Sequence, residues 1–255
     1  MKDLKKFIDS RIQEIFDNFS DKDYMVSKLQ EINKKFITDY KIQINCNNKN
    51  LTIIPIETEI YFSRFSNEKL IKDDGMCHIN ELQKERFGQL YFHRKGISKD
   101  NKILCANPKT TRGGVDVCLS SSKDYCLSIL IRSAFINGTE KENLESGPRR
   151  ICNRIRNICF DEKQGCLQSF FENLEISSTS VKLRNEKINI DIICIQPRIV
   201  GTKYHKGTKM YKLNCLNLGE KDNYLDDIIS TGQTFYKKYK DSEEKEEYKK
   251  SLSRN

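Results

Sequence analysis

The sequence predicts an α+β fold: a single domain with a mainly antiparallel, curved sheet surrounded by helices, with N-terminal helices and a C-terminal helical tail. Apolar stripes with helical spacing open the 255-residue chain, strand-like segments cluster in its middle, and a further helix pattern follows them. A chain of this length buries a sizeable core. We expect residues 1–20 to be a helical extension, 21–218 the main domain and 219–255 a charged helical tail.

The first forty residues predict an αα-hairpin. Residues 3–18 carry one apolar stripe, and a second stripe begins after the polar segment SDKD. Ser20, with Asp23 three residues later, is expected to cap the second helix. The stripes contain Leu4, Phe7, Ile8, Ile12, Ile15 and Phe16 in the first helix, and Met25, Leu29, Ile32, Phe36 and Ile37 in the second.

The middle of the chain contains short strand-like segments that are separated by loops. A helix is predicted over GPRRICNRIRNIC (147–159), where Pro148 suits the first turn. Residues 188–216 return to strands, and the remaining tail mixes charges without a clear apolar stripe. The strand-like segments are YKIQI (40–44), LTIIPIETEIYF (51–62), GQLYFH (88–93), VDVCLS (115–120) and LSILIRSAF (127–135).

The segment IIPIETEIYFSRF (53–65) places two glutamates inside an apolar run. Alternate side chains of a strand point to opposite faces, so one face is typical of a core and the other is acidic and aromatic. The acidic face suits a functional site, and the plain alternative is a solvated strand edge. The faces are Ile56, Thr58, Ile60 and Phe62 on one side, and Glu57, Glu59 and Tyr61 on the other.

The formal net charge of +9 is unevenly distributed along the chain. Residues 94–150 carry 11 Lys/Arg against 6 Asp/Glu, and residues 198–212 carry five Lys/Arg and no acid. Local positive fields of this kind are what phosphate binding requires, so a polyanion is an expected partner. A solvated basic surface explains the charge alone equally well.

The ten cysteines do not predict a metal or disulfide framework. None forms a CxxC pair, and no histidine lies at zinc-finger spacing. We expect most of them to be small buried residues in a reducing compartment, with no metal and no cofactor. No apolar run approaches the roughly 20 residues that span a membrane. A soluble intracellular protein is expected, in the cytoplasm and nucleoid or in a eukaryotic nucleus.

Five segments form an ordered set: ETEIYF (57–62), GQLYFH (88–93), SILIRSAFINGTE (128–140), SGPRRICNRI (146–155) and RIVGTKYHKGTKMYKL (198–213). Together they resemble the 3-methyladenine (alkyladenine) DNA glycosylase family over roughly residues 25–217. In that order they are similar to its catalytic strand, its Gly-x-Leu-Tyr-x-Tyr strand, its segment with the active-site arginine, its Ser/Thr-Gly-Pro helix start and its closing Arg-x-Gly segment.

The resemblance implies roles for individual residues. Glu59 takes the position of the catalytic acid, and Arg132 takes that of the active-site arginine, which holds a phosphate or fixes the carboxylate. Tyr61 takes the position of a base-stacking aromatic residue. His78 and His93 fall where the family has further stacking rings.

The chain departs from the family after GQLYFH, where its loop is longer and the tyrosine that wedges into the duplex has no counterpart. We predict that Arg112 is the wedge. Because phosphate contacts position a protein on DNA without reading its sequence, basic residues suffice for them. The predicted DNA-binding residues are Arg112, Arg149, Lys203, Lys206 and Lys209.

The resemblance implies a monofunctional DNA glycosylase. Such an enzyme flips a damaged or modified base, here an alkylated purine, out of double-stranded DNA and hydrolyses its N-glycosidic bond in base excision repair. We expect it to act as a monomer. One alternative is a catalytically inactive DNA-binding reader of modified bases on the same scaffold. Another is a hydrolase of free nucleosides, which would not need the basic segment 198–212.

Overall fold

The computed structural model confirms the α+β class. Helices flank a curled antiparallel sheet, and the sheet's strands come from both the N-terminal and the C-terminal halves of the chain. The structure describes residues 2–18, 20–46, 49–66, 69–71, 84–92, 96–97, 103–104, 114–138, 141–159, 181–185, 193–196 and 214–217.

The three predicted helices form close to their expected bounds. Helix α1 spans Lys2–Asp17, α2 spans Lys22–Asp39, and α3 spans Pro148–Cys159 with the proline at its first position. The apolar stripes of α1 and α2 are buried, except that Phe7 and Phe16 are only partly buried, because each of these two helices turns one face to the sheet. A short 3-10 helix, Lys141–Asn143, precedes the last strand before α3.

The cap of α2 differs from the prediction. Asp21, and not Ser20, is the N-cap residue: its carboxylate accepts hydrogen bonds from the backbone N–H groups of Asp23 and Tyr24, at 3.0 and 2.9 Å. Both residue types cap helices well, but Asp21 occupies the residue directly before the first helical turn.

Twelve strands are present in the described part of the chain. The predicted segments all contain one, and β3, β5, β6, β9 and β10 were not predicted. The strands are β1 Tyr40–Cys46, β2 Lys49–Ser66, β3 Lys69–Ile71, β4 Leu90–Phe92, β5 Gly96–Ile97, β6 Ile103–Leu104, β7 Val115–Cys118, β8 Tyr125–Ile136, β9 Leu144–Ser146, β10 Val181–Asn185, β11 Ile193–Gln196 and β12 Asn214–Asn217.

Strands β2 and β8 lie at the centre of the main sheet, whose order is β10-β1-β2-β8-β7-β4. Strands β3 and β12 also pair with β2, β9 pairs with β8, and β11 pairs with β12. All of these pairs are antiparallel. Strands β5 and β6 form a separate ribbon. The strand with the two glutamates is therefore an interior strand.

Helices α1 and α2 share one apolar core with the sheet. Leu4 and Ile8 of α1, Phe36 of α2, and Ile60 of β2 all belong to this core and are completely buried. Burial of each such side chain stabilises the fold by about 1.5–3 kcal/mol.

Polar contacts tie both helices to the sheet. On α2, the side chain of Asn33 accepts a hydrogen bond from the hydroxyl of Thr58 at 2.8 Å. On α1, the carboxylate of Asp9 accepts a bond from Ser121, which also lies 2.8 Å from the Tyr125 hydroxyl. The helices thereby fix β2 and the β7–β8 hairpin from the same side.

The predicted C-terminal tail, residues 219–255, lies outside the described residues. Within the described residues, no helix is long and apolar enough to cross a membrane.

Candidate functional site

The two faces of β2 are as the sequence predicts from Glu57 onwards, but the acidic face is not solvated. The prediction for Ile56 is wrong: the register shift beside Glu57 puts Pro55, opposite the core residue Ala134, on the core side, and Ile56 lies outside the shared core. Thr58, Ile60 and Phe62 are completely buried on the side of α2. Glu57 and Glu59 point the other way and are buried too, at 1% and 0% exposed. The solvated-edge explanation of the glutamates is therefore excluded. Burying a carboxylate costs free energy unless it is paired or hydrogen-bonded, so the contacts of each glutamate explain how its burial is tolerated.

Glu59 is bonded to two side chains that the sequence also places at the site. The hydroxyl of Tyr61 donates a hydrogen bond to Glu59 Oε2 at 2.7 Å. Nη1 of Arg132 lies 3.4 Å from the same oxygen. The structure thus brings together Glu59, Tyr61 and Arg132, which belong to two adjacent strands.

Glu57 extends this group towards β9. Its Oε1 lies 3.4 Å from Nε of Arg132, and its Oε2 accepts a hydrogen bond from the hydroxyl of Ser133 at 3.0 Å. The hydroxyl of Ser133 is itself 3.2 Å from that of Ser146. Arg132 therefore bridges two buried glutamates. Of these, Glu57 is also hydrogen-bonded to Ser133, which in turn contacts Ser146.

An irregular stretch of the β2–β8 ladder makes this geometry possible. Pro55 is opposite Ala134, but the register shifts on both sides of Glu57, which pairs with Ser133. Successive side chains of a regular strand point to opposite faces, whereas a bulge redirects one of them. Because of the shift, the consecutive residues Arg132 and Ser133 both reach Glu57.

Arg132 remains charged at any ordinary pH. Burial opposes its charged form, but the charges of Glu59 and Glu57 outweigh this effect and raise the pKa of Arg132 above its ordinary value. A buried ion group of this kind contributes little net stability, but the loss of one partner is costly, because it leaves a charge uncompensated. The arrangement therefore fixes the positions of the carboxylates.

A third carboxylate lies on the same face, and no role for it was predicted from the sequence. Directly opposite residues of antiparallel strands share a face. The ladders place Glu59 opposite Leu130, Leu130 opposite Asp116 and Asp116 opposite Tyr91. We call these four residues the acid row. The signal that was missed is the one seen at Glu57 and Glu59: an acid within an apolar strand, here VDVC.

Asp116 is buried and hydrogen-bonded. Its Oδ2 accepts a bond from the hydroxyl of Ser128 at 3.3 Å, and Ser128 is directly opposite Tyr61. The carboxylate of Asp116 therefore leans from the acid row towards Tyr61.

The named side chains of the acidic face are largely buried, and Tyr61 is the one that is partly exposed. Leu130 and Tyr91 are 7% and 9% exposed. On the opposite face, the neighbouring residues Ile129 and Ile131 of β8 are completely buried. Tyr61 is therefore the partly exposed side chain that contacts the buried Glu59.

The remaining predicted site residues are not part of this group. Arg149 lies in the first turn of α3 and is exposed. His78, His93, Arg112, Lys203, Lys206 and Lys209 lie outside the described residues. Among the described residues, no three His, Cys, Asp or Glu side chains are arranged to hold a metal ion.

Comparison with protein-family models gives no match to the chain, and comparison with curated proteins finds no relative.

Proposed function

We propose that this protein is a DNA glycosylase that flips a damaged or modified base out of double-stranded DNA and hydrolyses its N-glycosidic bond. The observation that carries the proposal is the carboxylate of Glu59. It is buried on an interior strand and bonded to a buried arginine and a partly exposed tyrosine. The order of the five family-like segments along the chain supports the same function.

The chemistry of base excision requires a fixed negative charge. As the base departs, its sugar carbon becomes cationic, and water must attack that carbon. A carboxylate beside this carbon stabilises the developing charge and orients or deprotonates the water. In this proposal Glu59 is that carboxylate, and Arg132 is a positioning residue, because it contacts Glu59 and Glu57 at 3.4 Å each.

The base itself must be held after it leaves the stack. Unstacking costs a few kcal/mol, which aromatic side chains recover by stacking on the extruded base. Tyr61 is partly exposed beside Glu59 and supplies one ring. His78 and His93 supply the others, as the resemblance implies. The alkylated purine is the expected class of base, and the protein acts as a monomer.

The DNA backbone is bound by basic residues. Arg149 is exposed at the start of α3. The segment 198–212 carries five Lys/Arg and no acid. Contacts from these residues, and from Arg112 as the wedge, position the duplex without reading its sequence.

A non-catalytic reader of modified bases is the second candidate. One observation favours it: the hydrogen bond from Tyr61 and the ion pair with Arg132 converge on the same oxygen of Glu59, as such contacts do where a buried acid serves only structure. A hydrolase of free nucleosides is less well supported, since it has no use for the basic segment 198–212.

A screen for released bases tests the proposal. The wild-type protein is incubated with duplex DNA that carries a mixture of alkylated, deaminated and hypermodified bases, and free bases are identified by mass spectrometry. The proposal expects release of at least one modified base with formation of abasic sites. Binding of modified duplex without any release would support the reader, and release from free nucleosides but not from DNA would support the nucleoside hydrolase.

A further inference from the structure

We infer that Glu57 is a positioning residue for base release: it holds the guanidinium group of Arg132 in the orientation that contacts Glu59. This inference rests on the proposed function, because it assigns a role beside the carboxylate that the proposal makes catalytic. The resemblance gives roles to Glu59 and Tyr61 of β2 and none to Glu57.

The two glutamates of the acidic face have different surroundings. Glu59 accepts a hydrogen bond from Tyr61, which is partly exposed. Glu57 contacts Ser133 and Arg132, and both of these side chains are buried. A residue that touches the reacting atoms must be within reach of the substrate, whereas a residue that acts through another need not be. The contacts of Glu57 therefore suit a positioning role.

Arg132 makes its two ion pairs with different nitrogen atoms. Its Nε lies 3.4 Å from Glu57 Oε1, and its Nη1 lies 3.4 Å from Glu59 Oε2. Because the guanidinium group is planar and rigid, an ion pair at Nε limits the positions that Nη1 can take. Glu57 thereby restricts the orientation of the cation that faces Glu59.

The charge of Glu57 also divides the attraction of Arg132 between two carboxylates. With a neutral side chain at position 57, this attraction would be directed mainly to Glu59. The guanidinium group would then move towards Glu59 and offset more of the negative charge that the cationic sugar requires. Glu57 therefore keeps the carboxylate of Glu59 both in place and available to the reaction.

Glu57 is itself held from the segment before α3. Its Oε2 accepts a hydrogen bond from Ser133 at 3.0 Å, and the hydroxyl of Ser133 lies 3.2 Å from that of Ser146, directly opposite on β9. The next residue, Gly147, donates its backbone N–H to the C=O of Arg132 at 2.7 Å. This segment thus supports both members of the ion pair, one through side chains and the other through the backbone.

The test separates the rate of base release from the affinity for DNA. Full-length proteins are given two duplexes, one with a single N7-methylguanine and one with a single hypoxanthine. Single-turnover release at saturating protein and equilibrium binding are measured for each. The variants are Glu57→Gln, Ser133→Ala, Arg132→Lys and the double variant Glu57→Gln/Arg132→Lys.

Two matched controls accompany these variants. Glu145→Gln removes a different glutamate that is paired with an arginine, Arg154. Ser63→Ala removes a different buried hydroxyl, on β2 itself. Thermal melting checks that every variant is folded, and both controls should release base at the wild-type rate.

Glu57→Gln should lower the single-turnover rate roughly tenfold or more, because small displacements of catalytic groups have large effects on rate. Its affinity for either duplex should stay within about threefold of wild type, because the interaction that is lost acts on the reaction step. Ser133→Ala leaves every charge in place and loosens only the hold on Glu57, so its rate should fall by about threefold to tenfold.

The double variant shows whether Glu57 acts through Arg132. Lysine keeps the positive charge, but its single ammonium group on a flexible stem cannot hold both carboxylates as the planar guanidinium group does. Arg132→Lys should therefore lose most of the positioning effect, and adding Glu57→Gln should change its rate by about twofold or less. Effects that multiply in the double variant would overturn the inference.

Two further results would overturn the inference. One is a folded Glu57→Gln protein that releases base at the wild-type rate, and the other is a fall in rate that is matched by an equal fall in duplex affinity. If Glu57→Gln does not fold, Ser133→Ala decides in its place, and a wild-type rate for that variant would overturn the inference.

Failure of the inference and failure of the proposed function give different results. Base release by the wild-type protein supports the proposed function whatever the variants do, so the inference can fail alone. Release of neither base by the wild-type protein would contradict the proposed function and would overturn the inference with it.

Discussion

At the scale of single residues, acids within apolar strands are the most informative signal in this sequence. Burying a carboxylate costs free energy unless it is paired or hydrogen-bonded. Glu57, Glu59 and Asp116 all interrupt apolar strands, and all three have an arginine or hydroxyl partner in the structure. The two glutamates were recognised from the sequence and Asp116 was overlooked, although the signal is the same.

Arg132 is expected to be the most sensitive residue of the acidic face for stability. Arg132→Met leaves two glutamates buried without their common cation, so the free energy of unfolding should fall by about 3–5 kcal/mol. Urea unfolding at neutral pH measures this value. Arg150→Met, at an exposed position on α3, is the control and should change stability by about 0.5 kcal/mol or less. Equal stability of the two variants would show that the ion group does not hold the face together.

The buried phenol of Tyr125 predicts a loss of stability at alkaline pH. Burial raises the pKa of Tyr125 above its ordinary value of 10.0, and hydrogen bonds with the hydroxyl and backbone N–H of Ser121 offset part of this effect. The folded protein thus favours the neutral phenol. Its contribution to stability is complete below pH 10 and is lost as the pH rises through the folded-state pKa.

Tyr125→Phe tests this linkage. Between about pH 9 and pH 11 the urea midpoint of the variant should fall less steeply than that of the wild-type protein, because no buried phenol has to ionise. Tyr24→Phe, which removes a hydroxyl that bonds Glu14 between the two N-terminal helices, is the control. Parallel midpoint curves for wild type and Tyr125→Phe would contradict the prediction.

At the scale of elements, periodic helices were predicted well and short strands were not. Helices α1 and α2 carry apolar stripes over several turns, so their pattern is clear before any tertiary contact is known. Strand β10, with the sequence VKLRN, has only two apolar residues, and its partner β1 lies far away in the chain. Its formation depends on the sheet that it joins, which local sequence does not show.

The cap of α2 gives a test at this scale. Because Asp21 accepts two backbone hydrogen bonds at the start of the helix, Asp21→Ala should lower the free energy of unfolding by about 0.5–2 kcal/mol. Ser20→Ala, one residue earlier, should have little effect. Chemical denaturation of the two variants measures the difference. A larger decrease in the free energy of unfolding for Ser20→Ala would show that Ser20 is the N-cap, as the sequence pattern predicts.

At the scale of the whole molecule, the site depends on strand pairing that local patterns do not predict. Glu59 and Arg132 are 73 residues apart in the chain and meet because β2 pairs with β8. From the sequence, only the family resemblance predicts that Glu59 and Arg132 belong to the same site. The register shift that brings Arg132 and Ser133 onto Glu57 had no signal in the sequence beyond Pro55, which lacks a backbone donor.

The charge distribution of the molecule predicts how DNA binding responds to salt. If the segment 198–212 contacts phosphates, replacing Lys203, Lys206 and Lys209 by glutamine should weaken binding equally for different sequences. It should also reduce the slope of log affinity against log salt by about 1 for each phosphate that is no longer neutralised. Fluorescence anisotropy at several salt concentrations measures both quantities. Glutamine replacements at Lys245, Lys249 and Lys250 of the charged tail are the control. An unchanged slope of log affinity against log salt would show that these lysines do not contact DNA phosphates.

The most direct measurement compares base release and DNA binding in Glu59→Gln. This variant keeps the size of the side chain and removes its charge, and Glu142→Gln, at an exposed position, is the control. If Glu59 stabilises the cationic sugar and activates water, single-turnover base release should fall by roughly 100-fold or more, while affinity for the modified duplex stays within a few-fold of wild type. Release by Glu59→Gln at the wild-type rate would contradict the account.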